Sequence, residues 1–358
     1  MYKVVAINLG STSTKLAYYE DDNRVIKVNI EHPAEEIRKY PEIMDQYQYR
    51  FDVIGKFLED HNINYRELDA IVSRGGHTHP IVGGTYKINE DLLGEVKSGK
   101  FGRHAGDLGV LIAYSMAGEG KAIPMVVDPP TTDEFEPMAR YSGLPDMPRR
   151  SSFHALNHRA VGRQYAKDIN RPYEDLNLIV VHMGGGITVA VHSNGKMIDA
   201  NNGLEGDGPF STNRTGTLPV GDLVDACYSG KYTYREMKRR LNGRGGMMAY
   251  IGENDVQTVQ KKALEGNVQY KECLDAMLYQ TCKEIGSLAP VVKGRVDAIL
   301  LTGGVAYSEY VTKYIDEHVN YLAKVVSYPG EYEMQALALG AYDALRGARE
   351  LKLMKSAE

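Results

Sequence analysis

A chain of 358 residues, 43% hydrophobic and 25% charged, is longer than single cores usually grow and has the balance of a folded two-domain protein, which excludes disordered and fibrous classes. Lys and Arg total 42 against 47 Asp and Glu, a net charge of −5, so there is no basic footprint for nucleic acid, and no apolar run approaches membrane-spanning length. Three cysteines without CxxC spacing (Cys227, Cys273, Cys282) and a strand beginning within a few residues of Met1 predict a cytoplasmic protein with neither a disulfide framework nor a signal peptide.

Residues 4–7 and 16–19 have the β-branched and aromatic content of strands, and between them lies a loop of turn residues from Asn8 to Lys15. Gly10 allows close approach to the backbone, the hydroxyls of Ser11, Thr12, Ser13 and Thr14 can donate, and Lys15 adds a charge, so the composition is that of a phosphate cradle. No Gly precedes Lys15 and a strand follows it, which rules out a Walker A loop; an ordinary polar hairpin accounts for the same residues. A third strand spans 24–30, and apolar residues at Ile43, Tyr47, Phe51, Ile54 and Leu58 predict a helix over 42–58. The strand at 68–73 stops at Arg74-Gly75-Gly76, which places a ligand-binding charge, or a surface arginine, at a strand end. After a helix at 106–117, the strand at 123–127 runs into Asp128, either a cation-ordering acid or a cap for the turn made by Pro129 and Pro130. The proline-rich, basic stretch 144–150 is the expected connection and hinge between domains.

A helix is expected from 151 to 167, capped by Ser151 or Ser152, with His154 and His158 one turn apart. HALNH is not HExxH and the spacing offers no third ligand, so a histidine facing phosphate is favoured over a metal pair. Residues 178–191 repeat the opening hairpin at a constant offset: His182 falls where Asn8 fell, Gly184 where Gly10 fell, Thr188 where Thr14 fell. Such a duplication predicts two related domains whose loops face one another across a cleft. Arg214 sits among small polar residues, short helices span 220–228 and 234–241, and 243–252 is glycine-rich. Helices over 257–293 carry Cys273 and Cys282 as core residues. A strand at 298–301, then Gly303 and Gly304, then a helix over 308–322 make a nucleotide-binding arrangement. After a strand at 324–328, Glu331 and Glu333 precede a helix over 335–352, where they either complement the helix dipole or meet a metal.

INLGSTSTK, SRGG, VVDP, RRSSFHALNH, HMGGGITV, GPFSTNRTG, LTGGVAYS and YPGEYEM, spread from end to end, resemble the butyrate kinases of the acetokinase family, within the acetate and sugar kinase, Hsp70 and actin superfamily. Acetate kinases tend to be longer and to read HLGNG where this chain has HMGGG. The resemblance implies an α/β fold of duplicated ribonuclease H-like (actin-like ATPase) domains with mixed five-stranded sheets flanked by helices and an active site in the interdomain cleft. Residues 1–148 would form the acid-kinase domain, with helix 334–354 packing back onto it, and 149–333 the nucleotide-binding domain. The implied reaction is reversible in-line transfer from ATP to butyrate or a branched short-chain carboxylate, giving ADP and an acyl phosphate with Mg²⁺, in a homodimer or larger homo-oligomer. Acetate or propionate kinase, and a non-catalytic nucleotide-gated binding protein, are the alternatives.

By the same resemblance Arg74 holds the acid's carboxylate, and Arg214 and His154 stabilise the transferring phosphoryl group. Asn8 and Ser11 position phosphate, with Gly10, Thr12, Ser13 and Lys15 in the same loop. Asp128 and one of Glu331 and Glu333 order Mg²⁺; His182, Gly184, Gly185 and Gly186 cradle ATP phosphates; Gly303 and Gly304 pack on adenosine. The residues suit that chemistry. A carboxylate with a pKa near roughly 4 is already ionised and needs no general base. Asn8, at a position commonly acidic in the superfamily, adds no repulsion.

Overall fold

Apolar alternation and tight turns build the first sheet. In the computed structural model of the chain, which describes residues 1–357, β1 (Lys3–Leu9), β2 (Ser13–Glu20) and β3 (Asn23–Glu31) form an antiparallel meander. β1 and most of β2 are buried on both faces, whereas β3 is buried only in part, as an edge strand is. After α1 (Ala34–Ile37) and α2 (Tyr47–Asp60), β4 (Ala70–Ser73) pairs parallel to β1. β5 (Thr85–Lys87), α3 (Glu90–Ser98) and the largely buried α4 (Ala105–Gly118) lead to β6 (Ile123–Val127), which is parallel to β4.

The second half repeats the plan. After α5 (Ala155–Asp168), β7 (Leu178–Met183), β8 (Ile187–Ser193) and β9 (Lys196–Ala200) form another meander. Then come α6 (Val220–Tyr228), α7 (Tyr234–Leu241), α8 (Met247–Ile251), α9 (Val256–Leu264) and α10 (Val268–Leu288). β10 (Ala298–Gly303), α11 (Glu309–Val319) and β11 (Val325–Pro329) complete a sheet of order β11-β10-β7-β8-β9. Finally α12 (Glu333–Leu345) packs on β1 and β6, and β12 (Leu351–Leu353) pairs with β5. The first sheet therefore reads β12-β5-β6-β4-β1-β2-β3.

Five strands in each sheet, β6-β4-β1-β2-β3 and β11-β10-β7-β8-β9, share one order and one pattern of parallel and antiparallel pairs. The expectation of five strands holds for the second sheet and is corrected for the first, which has seven because β5 and β12 extend it. Strands of three residues are too short to show alternation. The helix expected over 335–352 ends at Leu345; Gly347, at φ 74°, turns the chain, and residues 351–353 become β12.

The chain divides into two compact units, Met1–Asp133 with the segment from Tyr332 onward, and Glu134–Glu331. The proline-rich stretch 144–150 is thus not the connection. Glu134 Oε2 accepts from Arg159 Nη2 at 2.6 Å and from the Met197 N–H at 2.9 Å, while Arg149 donates to Asp199 Oδ1 and to the Ala200 carbonyl, each at 2.8 Å. These bonds bind the stretch into the second unit. Cys273 and Cys282 lie in the core beneath β7 and β8, their thiols pushed up to about 11 by burial. Among the described residues no helix is long and apolar enough to cross a membrane.

Glu284 of α10 has its carboxyl pushed up to about 7, by burial first and then by the charges of Asp207 and Asp199, against a lowering from Arg149. Its folded pKa exceeds the unfolded value of 4.5, so folding holds the proton more tightly. That stabilisation is complete below pH 4.5 and is lost as pH rises through 7. Glu284→Gln is therefore expected to stabilise by up to about 3 kcal/mol near pH 8 and by under about 1 kcal/mol near pH 5. Denaturant titrations at the two pH values that give equal shifts would contradict this.

Candidate active site

Three neighbouring parallel strands of the first unit carry polar side chains at or just past their carboxyl ends: Asn8 next to last in β1, Arg74 just after β4, Asp128 just after β6. The carboxyl ends of parallel strands are the usual ligand-binding edge of such sheets. Buried Asn8 donates from Nδ2 to Glu333 Oε2 at 2.6 Å, and Arg74 Nη2 lies 3.5 Å from Glu333 Oε1. Glu333 is buried at the start of α12, where the helix dipole favours its charge, whereas Glu331 is exposed. The structure thus groups Glu333, not Glu331, with Asn8 and Arg74. Asp128 is buried at φ 41°; its Oδ1 accepts from the Gly84 N–H at 2.8 Å and its own N–H donates to the Gly84 carbonyl. Aspartate is among the few non-glycine residues that adopt this backbone region readily, and five other non-glycine residues of the chain do so too.

The glycines after Arg74 serve packing. A Cβ on Gly75, at φ 98°, would meet Pro129 Cβ at 2.7 Å, and one on Gly76 would meet Asp107 Oδ1 at 2.6 Å. Asp107, fully buried, accepts from the His77 N–H and the His104 N–H, each at 2.8 Å. Burial raises its pKa, but the His77 ring and these two N–H groups outweigh burial and hold it below the usual carboxylate range. His104 Nδ1 accepts from the Gly106 N–H at 3.0 Å, which puts the ring proton on Nε2. Burial, then Arg74 and His77, hold the His104 pKa below its ordinary value, against a raising from Asp107.

The first hairpin closes over Gly10 to Ser13, with the Gly10 N–H donating to the Ser13 carbonyl at 2.9 Å. Ser11 and Thr12 are exposed at its tip, while Thr14 is buried in β2 and does not reach the tip as expected. Beneath the turn lies Arg50 of α2, fully buried, donating to the carbonyls of Gly10, Ser11 and Ser13, to Thr14 Oγ1 and to Gln46 Oε1. With its carbonyls held inward, the turn presents N–H and hydroxyl groups outward.

In the second unit α5 begins at Ala155, not at 151; the N-cap is His154, and Ser152 instead accepts the Gly203 N–H through its carbonyl. The His154 ring stacks on His182 with centroids 3.8 Å apart and planes 16° apart. Asn157 Nδ2 lies 2.9 Å from His182 Nδ1 and 3.2 Å from Thr302 Oγ1, so His182 Nδ1 accepts and Nε2 carries the proton, next to Gly184. His154 and His158, one helical turn apart, both meet the Thr188 hydroxyl. Three glycines link β7 and β8. A Cβ on Gly186 would fall 1.9 Å from Arg214 Nη1, so only glycine admits that guanidinium across the turn. Arg214 Nη1 donates to the Gly203 carbonyl at 2.5 Å, and its buried Nε has no hydrogen-bond partner among the described residues. Gly304 is exposed with open space beside it; Gly303, at φ 89°, is buried against Met183 and exchanges two hydrogen bonds with Gly330. Gly303 is thus required by strand packing, and only Gly304 offers open backbone.

A model of the Acetokinase family matches residues 146–325. Butyrate kinase 2 of Clostridium acetobutylicum is 48% identical over 354 residues, covering 99% of both chains. The chain belongs to the acetokinase family. Butyrate kinase 1 of the same organism is 47% identical over 355 residues, 99% of this chain and 100% of that one. Among solved structures, Porphyromonas gingivalis acetate kinase has a TM-score of 0.77 at 19% identity, covering 94% of this chain and 98% of that one. A propionate kinase from Francisella tularensis gives 0.75 at 18%, covering 95% and 99%. These two establish the fold.

Within this acetokinase-family chain, the residues singled out from sequence form two groups. Asn8, Gly10, Ser11, Thr12, Ser13, Lys15, Arg74, Asp128 and Glu333 lie in the first unit; His154, His182, Gly184, Gly185, Gly186, Arg214, Gly303, Gly304 and Glu331 lie in the second. Sequence reasoning missed Arg50, His104, Asp107, Asn157 and the role of Thr188. Arg50 left a signal: it lies three residues after Tyr47 and four before Ile54, a charge inside the apolar stripe of α2.

Proposed function

We propose that the protein is a butyrate kinase, transferring a phosphoryl group reversibly between ATP and butyrate or a branched short-chain carboxylate. Full-length identity to two butyrate kinases carries the assignment, and the site chemistry supports it. The attacking carboxylate arrives ionised, so the end of β1 needs a neutral donor and no base, which Asn8 supplies. In-line transfer to a carboxylate asks for alignment and for stabilisation of charge on the transferring group. Arg74 aligns the acid, its side chain 26% exposed beside Glu333. Arg214 and His154 stabilise the transferring group, and the His182 Nε2–H with Gly184 to Gly186 receives the nucleotide phosphates. The first hairpin, braced by Arg50, offers outward donors from Ser11 and Thr12.

Mg²⁺ fits as a companion of the nucleotide. Among the described residues no group of three or more His, Cys, Asp or Glu side chains forms a cage for an ion. Mg²⁺ typically takes one or two carboxylates plus phosphates and water, which matches buried Asp128 and Glu333. The ion would neutralise charge on the phosphates while these carboxylates orient it. The free cysteines, two of them buried, suit a reducing cytoplasm.

The test is a panel of ATP with acetate, propionate, butyrate and isobutyrate, trapping acyl phosphate with hydroxylamine. Butyrate or isobutyrate is expected to give the fastest hydroxamate formation. Fastest trapping with acetate would reassign the chain to acetate kinase, and ATP consumption indifferent to every acid would leave only a nucleotide-gated binding protein.

A further inference from the structure

His158 and Thr188, to which none of the roles above is given, form a hydrogen-bonded chain to His154. His158 and Thr188 are fully buried; His158 Nε2 and His154 Nδ1 each lie 2.9 Å from the single Thr188 hydroxyl. His158 Nδ1 has no hydrogen-bond partner among the described residues. The rings of Phe153, His192 and His182 surround it, at centroid distances of 5.3, 5.9 and 6.5 Å.

These facts decide where the protons sit. Burial, then the neighbouring His192 and His182, hold His158 well below its ordinary pKa, so it is neutral and has one ring proton. On Nδ1 that proton would be a buried N–H with nothing to bind, the rarer and costlier kind of orphan. On Nε2 it donates to Thr188 Oγ1, and only a lone pair is left unmatched. A hydroxyl has one hydrogen, and with His158 donating to its oxygen, that hydrogen is turned toward His154 Nδ1. His154 Nδ1 must then be an acceptor, and the His154 proton resides on Nε2.

We infer that His158, acting through Thr188, is a positioning residue that fixes the tautomer of His154 so that Nε2 is a hydrogen-bond donor. The inference rests on the reading of His154 as a group that stabilises the transferring phosphoryl oxygen atoms. With the opposite tautomer, a neutral His154 would present a lone pair to those oxygens and repel them.

The test uses the full-length protein with ¹⁵N-histidine and reads ring-nitrogen shifts, with His154 assigned from the spectrum of His154→Asn. In the unaltered protein His154 is expected as a single Nε2–H tautomer. Thr188→Val removes the hydroxyl and should convert His154 to a mixture of tautomers and lower kcat at least about tenfold with both KM values unchanged. Thr188→Ser keeps the hydroxyl and should restore both. A proton on His154 Nδ1 in the unaltered protein, a measurement that needs no variant, overturns the inference, as does an Nε2–H tautomer that survives Thr188→Val. A tautomer shift with unchanged kcat supports the positioning role and removes His154 from the transfer step.

Discussion

Replacing Arg214 by Ala is expected to lower the rate of acyl phosphate formation by roughly 10³-fold while the protein stays folded, the scale on which a charge on a transferring phosphoryl group is felt. One Arg214 nitrogen donates to the Gly203 carbonyl, and the buried Nε has no hydrogen-bond partner among the described residues. Burial works against its charged form, so the site keeps a desolvated cation that a phosphate oxygen would satisfy. Gly186→Ala should repeat much of the loss without touching Arg214, since the added Cβ would occupy the guanidinium's place. Arg214→Lys restores charge but not the planar fork, and should recover only part of the rate. Urea melts of each variant separate rate from folding. Near-normal turnover in Arg214→Ala would take the residue out of the chemistry.

The largest loss of stability is expected from Arg50→Met, about 3 to 5 kcal/mol. The substitution removes the donors to three turn carbonyls, to Thr14 Oγ1 and to Gln46 Oε1 at a fully buried position. It also leaves Thr14 with one remaining side-chain partner, His32 Nε2 at 2.8 Å. His32 is held near a pKa of about 4 by burial and by the Arg50 charge, so it is neutral and cannot replace the cation. Denaturant unfolding measures the global cost, and amide exchange at residues 10–14 should show the turn opening first. A cost below about 1 kcal/mol with the turn still protected would show that the hairpin holds itself.

Much of this was legible because the chain states it twice. Long apolar strands ending in glycine-rich or charged residues marked β1, β4, β6, β7 and β10, and helices α6 and α7 match their sequence pattern from first to last residue. The duplicated hairpin was visible as Asn8, Gly10 and Thr14 against His182, Gly184 and Thr188. Its register was not. Leu9 pairs with Thr14 across a four-residue turn, whereas Met183 pairs with Ile187 across three glycines, so the second hairpin is one residue tighter. Turn geometry, not strand composition, sets that difference. The three-residue strands β5 and β12 were hidden because pairing partners far along the chain define them. Side chains buried for a polar purpose, such as Asp107 and Asn157, look in sequence like any surface residue, and Arg50 shows only as a charge inside the apolar stripe of α2. The grouping of Glu333, and not Glu331, with Asn8 and Arg74 needed the position of α12.

That position has a consequence for synthesis on the ribosome. Asn8 and Arg74 emerge early, but Glu333, to which both are bound, follows the entire second unit. A nascent first unit therefore carries an uncompensated Arg74, and its β5 edge remains open until β12 arrives to cover it. Closing of the sheet edge and balancing of the Arg74 charge both wait for the same late segment, and a chain interrupted before Tyr332 lacks β12 and Glu333 alike.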